Sequence, residues 1–442
     1  MNMDVTVASL PRLNEKYSMF SRISDDIGTA DFKFLFSAKD NLTSKDMETR
    51  CGSRILEGYR PAFDATAIEK MRISGGKLIG KNNMDEFGFG TFSTNSAFGI
   101  PRNPFDPERS CGGSSGGSAC AAAVIEDHVS LGVSTGGSIC CPASFCGVYG
   151  LAPTYGRVSR YGLIDYGNSL DKIGLISSDP GRLSEFLPVI SGKDRKDPTS
   201  CAQPDLNLTG KKIKTVAVPR EALEGVSGDV LSAFESSLET LRGMDIDVKM
   251  MDMPFLRYAM PAYYILATSE ASTNLARYVG MRYGRQDGDL TLKFDDYFTS
   301  FRSEYFGDEA KRRILLGTYT RMAGFRDRYY AKALKVRLHI ISSYKKVFED
   351  HDAVLTPTMP FVAPRFDDIS EMTPVESYSA DYLTVPPNLA GMPHLSVPCG
   401  YDAEGMPVGM QFVTDHWDED PLLTFAKDWG CAFETRRAEV LL

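Results

Sequence analysis

Two glycine- and serine-rich segments within residues 110–147 constrain the fold of this chain more than any other feature. The first, GGSSGGS, covers residues 112–118, and the second, TGGS, covers residues 135–138. An alanine-rich segment typical of a helix and a short apolar strand at residues 129–133 separate them. Because structured apolar segments flank both turns, a flexible Gly/Ser linker is a poor description. We predict two tight turns that converge on one pocket.

Turns of this kind are suited to a reaction in which a serine hydroxyl is the nucleophile. Glycine allows positive φ and lets backbone N–H groups approach a ligand, and consecutive N–H groups form an anion site. A serine beside them would have an oxyanion site next to its hydroxyl.

A serine nucleophile also needs a base. None of the five histidines lies in a recognisable catalytic setting: His128, His339, His351, His394 and His416. A lysine is the alternative, and Lys39, which follows the apolar FKFLF, is predicted at a strand end. It would act as a base only if burial or a nearby positive field kept it neutral. On the residues alone, a pair such as Lys39-Asp40 is far more typical of a solvated surface than of a catalytic site, and spacing does not single it out.

The composition excludes several function classes. With 49 basic and 58 acidic residues among 442, the net charge is −9, which argues against a broad basic face for nucleic acid. No apolar run approaches the ~18 residues of a membrane helix, and the amino terminus lacks a secretory pattern. Nine cysteines without export features indicate reduced thiols in a cytosol.

The pattern along the chain predicts an α/β layered fold. A short lead-in at 1–29 precedes a Gly/Ser-rich core at 30–180, and a polar, turn-rich surface excursion follows at 190–212. From 213 to 442, strands and helices alternate again. The predicted elements are a strand ending at Pro219, a helix containing Val230 to Leu241, a strand at Ile246 to Met250, mostly helix at 255–350, and a hairpin of HLSVPCG and VGMQFVT.

A lysine in a KDN context, then GGSSGGS, then TGGSI resembles the amidase signature family, which uses a Ser-Ser-Lys triad. The resemblance implies a single α/β/α domain around a large mixed β-sheet. It implies Lys39 as the base, Ser114 after a cis peptide as the bridging serine, and Ser138 as the nucleophile. The oxyanion would be held by backbone N–H groups of the turn formed by Thr135, Gly136, Gly137 and Ser138.

Four further stretches narrow the resemblance to the A subunits of the glutamyl-tRNA(Gln)/aspartyl-tRNA(Asn) amidotransferases: GKNNMDEFGFG, PTYGRVSRYGLIDYGNSLDKIG, EAKRRILLGTY and DYLTVPPNLAGMP. The resemblance implies a glutaminase that sends ammonia to a B subunit, with a small C subunit completing a cytoplasmic heterotrimer. It implies no cofactor on this chain, because ATP and Mg²⁺ are used by the B subunit on the mischarged aminoacyl-tRNA.

The resemblance also implies a glutamine site formed by Tyr263, Arg313 and Asp381. A guanidinium suits the α-carboxylate of glutamine and a carboxylate suits its α-ammonium. On the residues alone, Arg313 would belong to a solvated basic cluster, Asp381 would be a helix N-terminal charge, and Tyr263 would be a core residue.

Two positions depart from the family pattern. Many relatives carry an acidic residue before TGGS and an arginine two places after the nucleophile, where this chain has Ser134 and Cys140. We interpret the two differences as compensating each other. If the two charges pair in relatives, the absence of both leaves no buried charge without a partner. The lead-in before Lys39 is also shorter than in many relatives.

Other interpretations of the motifs fail on spacing or context. The cluster of cysteines near the turns lacks a zinc-type CxxC pair, so we predict small buried thiols. GGSSG matches the hydrolase G-x-S-x-G elbow, but a loop precedes it. GGKLIGKN resembles a P-loop but ends in Asn82 instead of Ser or Thr. A stand-alone amidase for another amide and a catalytically silent scaffold remain as alternative functions.

Overall fold

The computed structural model describes residues 3–25, 27, 32–200 and 203–438, and within these ranges eleven strands form one sheet. The strands are β1 (Phe20–Ile23), β2 (Phe34–Lys39), β3 (Gly76–Asn82), β4 (His128–Ser134), β5 (Tyr149–Ala152), β6 (Lys172–Ser177), β7 (Thr215–Pro219), β8 (Asp247–Met251), β9 (Ala353–Pro357), β10 (His394–Tyr401) and β11 (Pro407–Val413). The helices are α1 (Met3–Tyr17), α2 (Thr66–Ile73), α3 (Gly116–Val124), α4 (Cys140–Phe145), α5 (Pro180–Ile190), α6 (Gly228–Gly243), α7 (Ala259–Asn274), α8 (Phe294–Tyr305), α9 (Asp308–Arg321), α10 (Tyr330–Val347), α11 (Phe366–Glu371), α12 (Pro374–Ser379), α13 (Val385–Ala390) and α14 (Asp420–Ala432).

The sheet is mixed, in the order β1-β3-β2-β4-β6-β5-β10-β11-β9-β7-β8. β2 runs parallel to its neighbours β3 and β4, and β7 runs parallel to β8 and β9. The strands between these two groups pair antiparallel. The predicted helix at α6, the predicted strands at β4, β7 and β8, and the hairpin of β10 and β11 are confirmed.

Helices cover both faces of the sheet, because successive strand residues enter different cores. In β2, Phe34 and Phe36 pack in a cluster with residues of α5, α6 and α14, whereas Leu35 packs with residues of α1 and α3. A strand buried on both faces is a nearly continuous apolar run, as FLFSA is. Helices α7 to α10 contribute to a further cluster. The predicted α/β/α layers around a large mixed sheet are confirmed.

The segments predicted from composition have more structure than expected. The lead-in contains α1 and the edge strand β1, while its predicted end at residues 29 and 30 lies outside the described residues. Within 190–212, where residues 201–202 also lie outside, most side chains are exposed, but Asp197, Ser200 and Gln203 are buried. None of the helices in the described ranges has the length and apolar character needed to cross a bilayer.

Candidate active site

Lys39 lies at the carboxyl end of β2, where only 1% of its surface is exposed. Its Nζ donates to Ser114 Oγ at 2.7 Å and to the Val133 carbonyl of β4 at 3.0 Å. Because β2 and β4 are parallel, their carboxyl ends meet at one edge of the sheet, and the TGGS turn follows β4 directly. The structure therefore brings together Lys39 and Ser114, which stand 75 residues apart in the sequence.

Burial gives Lys39 the protonation behaviour that a base requires. It lowers the pKa of Lys39 from 10.5 to about 7, although the charges of Asp85, Cys51 and Asp171 act in the opposite direction. A lysine with this pKa is substantially neutral near pH 7.

Lys81 on the adjacent β3 is equally buried but has different partners. Its Nζ lies 3.4 Å from Asp40 Oδ1 and donates to Thr49 Oγ1 at 3.0 Å. Both lysines donate to a hydroxyl and to a backbone carbonyl, which is that of Leu42 for Lys81, but only Lys81 also faces a carboxyl group. This difference separates a structural lysine from a candidate base.

Ser114 precedes the first turn of α3 and is buried, with 1% of its surface exposed. The Gly113–Ser114 peptide bond is cis, as the family resemblance implies. A Cβ added to Gly88 would lie 3.4 Å from Ser114 Oγ, so the glycine leaves room beside this oxygen. Ser115 donates to the Val133 carbonyl at 3.1 Å, the same carbonyl that accepts from Lys39.

Ser138 ends the second turn and is 8% exposed. Its hydroxyl forms no hydrogen bond with any described residue, so the structure forms the Lys39–Ser114 half of the predicted relay and not the Ser114–Ser138 half. Backbone N–H groups of Gly136, Gly137 and Ser138 also donate to no residue in the described ranges. Unpaired buried N–H groups are rare, and three in one turn provide donors for an oxyanion.

The TGGS turn is fixed by hydrogen bonds with two side chains, Asp171 and Asn388, which the sequence analysis did not identify. Asp171 accepts from Thr135 Oγ1 at 2.7 Å and from the backbone N–H groups of Tyr166 and Gly167 at 2.9 and 3.1 Å. Asn388 Nδ2 donates to the carbonyl of Thr135. Burial raises the pKa of Asp171 to about 7. These contacts fix the backbone that presents Ser138.

Asp85 is a third residue that sequence reasoning missed, and it organises the loop opposite the first turn. Its carboxylate accepts from the backbone N–H groups of Ser93 at 3.0 Å and Asn95 at 2.9 Å. A Cβ on Gly113 would lie 2.4 Å from Asp85 Oδ2, so the carboxylate packs directly on the glycine before Ser114. Burial raises the pKa of Asp85 to about 6.

Arg313 lies on the inner face of α9 and is 3% exposed, so it is not part of a solvated basic cluster. Its Nε donates to Glu309 Oε1 at 2.7 Å and its Nη1 donates to the hydroxyl of Tyr166. Its Nη2 has no hydrogen bond within the described ranges. Four rings lie 5.2 to 5.5 Å from the guanidinium carbon: Phe89, Tyr166, Tyr264 and Tyr378. The guanidinium therefore keeps donors for a carboxylate within an aromatic enclosure.

Tyr263 is a core residue, as its pattern indicated, and it also covers the nucleophile turn. It is 4% exposed on α7, and a Cβ on Gly136 would lie 2.9 Å from its hydroxyl oxygen. Helix α7 packs so closely on α9 that a Cβ added to Gly317 would lie only 1.8 Å from the carbonyl oxygen of Thr268. Tyr263 and Arg313 are thus carried by two interlocked helices.

Asp381 lies between α12 and α13 and is buried, so it is not a solvated charge at a helix terminus. Its Oδ2 accepts from Thr91 Oγ1 at 2.9 Å, whereas its Oδ1 is buried without a partner. Burial raises the pKa of Asp381 to about 7, while Thr91 and the charge of Arg313 act to lower it. A buried carboxylate oxygen without a donor suits a cationic ligand.

The two positions that depart from the family pattern are buried beside the turn. Ser134 Oγ has no hydrogen-bond partner among the described residues, and Cys140 Sγ lies 3.6 Å from the carbonyl of Gly150. The predicted burial of the neighbouring thiols is confirmed. The fully buried cysteines near the turns are Cys111, Cys120, Cys140, Cys141 and Cys146.

Comparison with known proteins identifies the family of this chain. The Amidase family model matches residues 34–423. The A subunit of the glutamyl-tRNA(Gln) amidotransferase from Archaeoglobus fulgidus is 46% identical over 398 residues, which cover 90% of this chain and 85% of that protein. Its counterpart from Clostridium botulinum strain Eklund 17B is 43% identical over 437 residues, covering 96% of this chain and 89% of its own.

A solved structure extends the similarity to the fold. The crystal structure of the glutamyl-tRNA(Gln) amidotransferase A subunit from Thermotoga maritima superposes with a TM-score of 0.81 at 34% identity, covering 96% of this chain and 89% of the other. The family match spans both Gly/Ser turns, Lys39 and the three residues of the predicted glutamine site. The chain therefore belongs to the amidase signature family.

Proposed function

We propose that this chain is the glutamine-hydrolysing subunit of a tRNA-dependent amidotransferase, and that it supplies ammonia to a partner subunit. The observation that carries the proposal is the 2.7 Å contact between Lys39 Nζ and Ser114 Oγ at a buried strand end. Unpaired N–H groups in the adjacent turn and the enclosed guanidinium of Arg313 support it. The names of the relatives point to the same activity.

The proposed reaction begins with a proton relay. Neutral Lys39 takes the proton of Ser114, and Ser114 takes the proton of Ser138 as Ser138 Oγ attacks the side-chain amide carbon of glutamine. A hydroxyl can be both donor and acceptor, so Ser114 can bridge the other two groups. The oxyanion that forms is bound by backbone N–H groups of the turn from Thr135 to Ser138.

Ammonia leaves when the same relay runs in reverse. The proton on Lys39 returns through Ser114 to the amide nitrogen, the carbon–nitrogen bond breaks, and glutamyl-Ser138 ester remains. Water then attacks the ester, giving its proton to the relay, and releases glutamate and free Ser138. Each half-reaction uses the same base, so Lys39 must be neutral at the start of both.

Substrate recognition would come from the helical side of the site. Arg313 would bind the α-carboxylate of glutamine, and Asp381 would accept from its α-ammonium through the oxygen that now lacks a partner. Tyr263, which covers Gly136, would add a hydroxyl contact. A substrate ammonium beside Asp381 would lower the pKa of its carboxyl group and keep it ionised.

The partners proposed here are a B and a C subunit in a cytoplasmic heterotrimer. The B subunit would use ATP and Mg²⁺ to activate the mischarged aminoacyl-tRNA and would receive the ammonia. This chain would bind neither ATP nor metal, since its chemistry needs only the lysine, the two serines and the turn.

The decisive experiment measures ammonia release from glutamine, asparagine and unrelated amides, by the chain alone and together with its B and C subunits. We expect release from glutamine, with a preference over the other amides. Release from unrelated amides but not from glutamine would identify a stand-alone amidase. A folded chain that releases no ammonia in either state would be a silent scaffold.

A further inference from the structure

Helix α9 has two faces of opposite character. Its inner face carries Arg313 and packs on α7 at Gly317. Its outer face exposes Leu315 and Tyr319, and Met322 directly after the helix is exposed as well, with 71%, 44% and 52% of their surfaces accessible. Positions i and i+4 lie on one side of a helix, so Leu315 and Tyr319 form an apolar stripe, and Met322 follows it in the sequence.

The stripe continues into the loop that connects α9 with α10. The ring of Tyr319 lies 4.5 Å from that of Phe325 and 6.1 Å from that of Tyr329. Leu316, beside the stripe, is 43% exposed. We call this surface the α9 face; it consists of Leu315, Leu316, Tyr319, Met322 and Phe325.

The segment that carries the α9 face is basic, although the whole chain is acidic. Residues 311–347 contain eleven Lys or Arg and a single acidic residue, Asp327, and five of these cations form ion pairs with carboxylates. Arg321, Arg328 and Lys332 form no ion pair with any residue in the described ranges. The net charge of −9 therefore hides a local surplus of positive charge beside an exposed apolar surface.

We propose that the α9 face is the docking surface for a partner subunit of the amidotransferase, which presents an apolar patch with an acidic rim. This proposal rests on the proposed function. Apolar side chains at the centre and charges at the edge are the usual arrangement of a protein interface. Acidic groups on the partner would complement Arg321 and Arg328 and speed association.

Two other occupants fit the surface less well. A second copy of this chain would bring two positive surfaces together, which costs binding free energy. RNA would use the cations, but exposed Leu315 and Met322 offer nothing to phosphates. Phe325 and Tyr329 pack on Tyr319 instead of standing open as a platform for bases.

Docking on this face would place the partner close to the substrate site. The side chain of Arg313 leaves the opposite side of the same helix, and an α-helix with its side chains is about 10 Å thick. A partner on α9 would therefore lie one helix away from the proposed glutamine site, with α7 held against α9 at Gly317.

The test uses the full chain and its B and C subunits, with the dissociation constant measured by titration at low and high salt. Leu315→Glu combined with Met322→Glu should weaken assembly at least tenfold, because both changes put charge into the apolar centre. Arg321→Glu combined with Arg328→Glu should weaken it at low salt and flatten the salt dependence. The matched control is Ile73→Glu at the end of α2, a site that is 79% exposed; it should leave assembly unchanged.

Glutamine hydrolysis by the isolated variants should equal that of the unmodified chain, which shows that they fold. Assembly within twofold of the unmodified chain after the Leu315 and Met322 changes would overturn the proposal. The proposal would also be overturned if these variants lost tRNA binding while the subunits still assembled. It would be overturned as well if the unmodified chain formed a dimer that the variant dissociated. If the unmodified chain does not bind the B and C subunits, the docking proposal fails. The proposed glutaminase activity is tested separately, by glutamine hydrolysis with the isolated chain.

Discussion

The two walls of the candidate site are built in different ways. On the strand wall, Lys39, Ser114 and the turn ending at Ser138 are placed mainly by strand ends and by backbone groups such as the Val133 carbonyl, and the side chains of Asp171 and Asn388 support the turn. On the helix wall, Arg313 and Asp381 are placed mainly by other side chains. Proton transfer tolerates little displacement, so it suits the backbone-anchored wall. Binding of a charged substrate suits the wall where ion pairs can adjust.

The largest expected effect is on the strand wall, at Ser138. Changing Ser138→Ala removes the proposed nucleophile, so kcat for glutamine should fall by about 10³-fold or more. The measurement is ammonia release, with the thermal unfolding midpoint as the control for folding. A variant that retains more than a tenth of the activity would show that another group attacks the amide.

Lys39 should show nearly as large an effect and a specific pH dependence. Because the base must be neutral and its pKa is about 7, kcat should rise as pH increases through about 7. The pKa values of Asp381 and Asp171 are also raised to about 7, so an unchanged midpoint in both Asp381→Asn and Asp171→Asn would assign the midpoint to the lysine. Lys39→Arg should be inactive at every pH, since a guanidinium stays protonated. A flat profile would contradict the relay.

On the helix wall, Arg313→Lys should change binding more than chemistry. A lysine keeps the charge but loses the bidentate geometry within the aromatic enclosure, so KM for glutamine should rise roughly 100-fold. We expect kcat to fall much less, because the strand wall is untouched. Steady-state kinetics separate the two parameters. A fall in kcat with KM unchanged would move Arg313 into the chemical step.

Asp171→Ala tests whether a residue behind the turn acts by position. Alanine removes all three hydrogen bonds to Thr135, Tyr166 and Gly167, so the turn should loosen and kcat should fall about tenfold with KM unchanged. Asp171→Glu and the unmodified chain serve as references in the same assay. Unchanged kcat would assign the turn geometry to Asn388 and the backbone alone.

The smallest effect should come from Ser134→Ala, four residues before Ser138. The hydroxyl of Ser134 has no partner among the described residues, so its removal leaves no donor or acceptor unpaired. We expect stability within about 0.5 kcal/mol and activity within about twofold of the unmodified chain. Chemical unfolding and the ammonia assay would check both.

The same contrast explains what the sequence could predict. The strand wall was accessible because its residues sit in contiguous motifs, and β2, β4 and α3 follow from apolar runs beside those motifs. The helix wall came only from the family resemblance. Local pattern favoured a solvated Arg313, because nothing in KRRILLG shows that Tyr166 and Tyr378 would enclose it.

Supporting residues were missed because their partners are distant in the sequence. Asn388 binds the carbonyl of Thr135 across 253 residues, and Asp171 acts across 36. Both lie inside stretches that carry the family resemblance, SLDKIG and PPNLAG, which is the one signal that could have indicated them. Total charge gives no information on distribution, since it averages the basic segment 311–347 with acidic segments elsewhere.

The five thiols beneath the turns have a consequence for studying how this region opens. Cys111, Cys140 and their neighbours are sealed from solvent, whereas Cys431 is exposed. An alkylating reagent would therefore mark Cys431 at once and the sealed group only during transient local unfolding. Mass spectrometry of the alkylated peptides would measure the rate at which the region beneath the two Gly/Ser turns opens, without any engineered label.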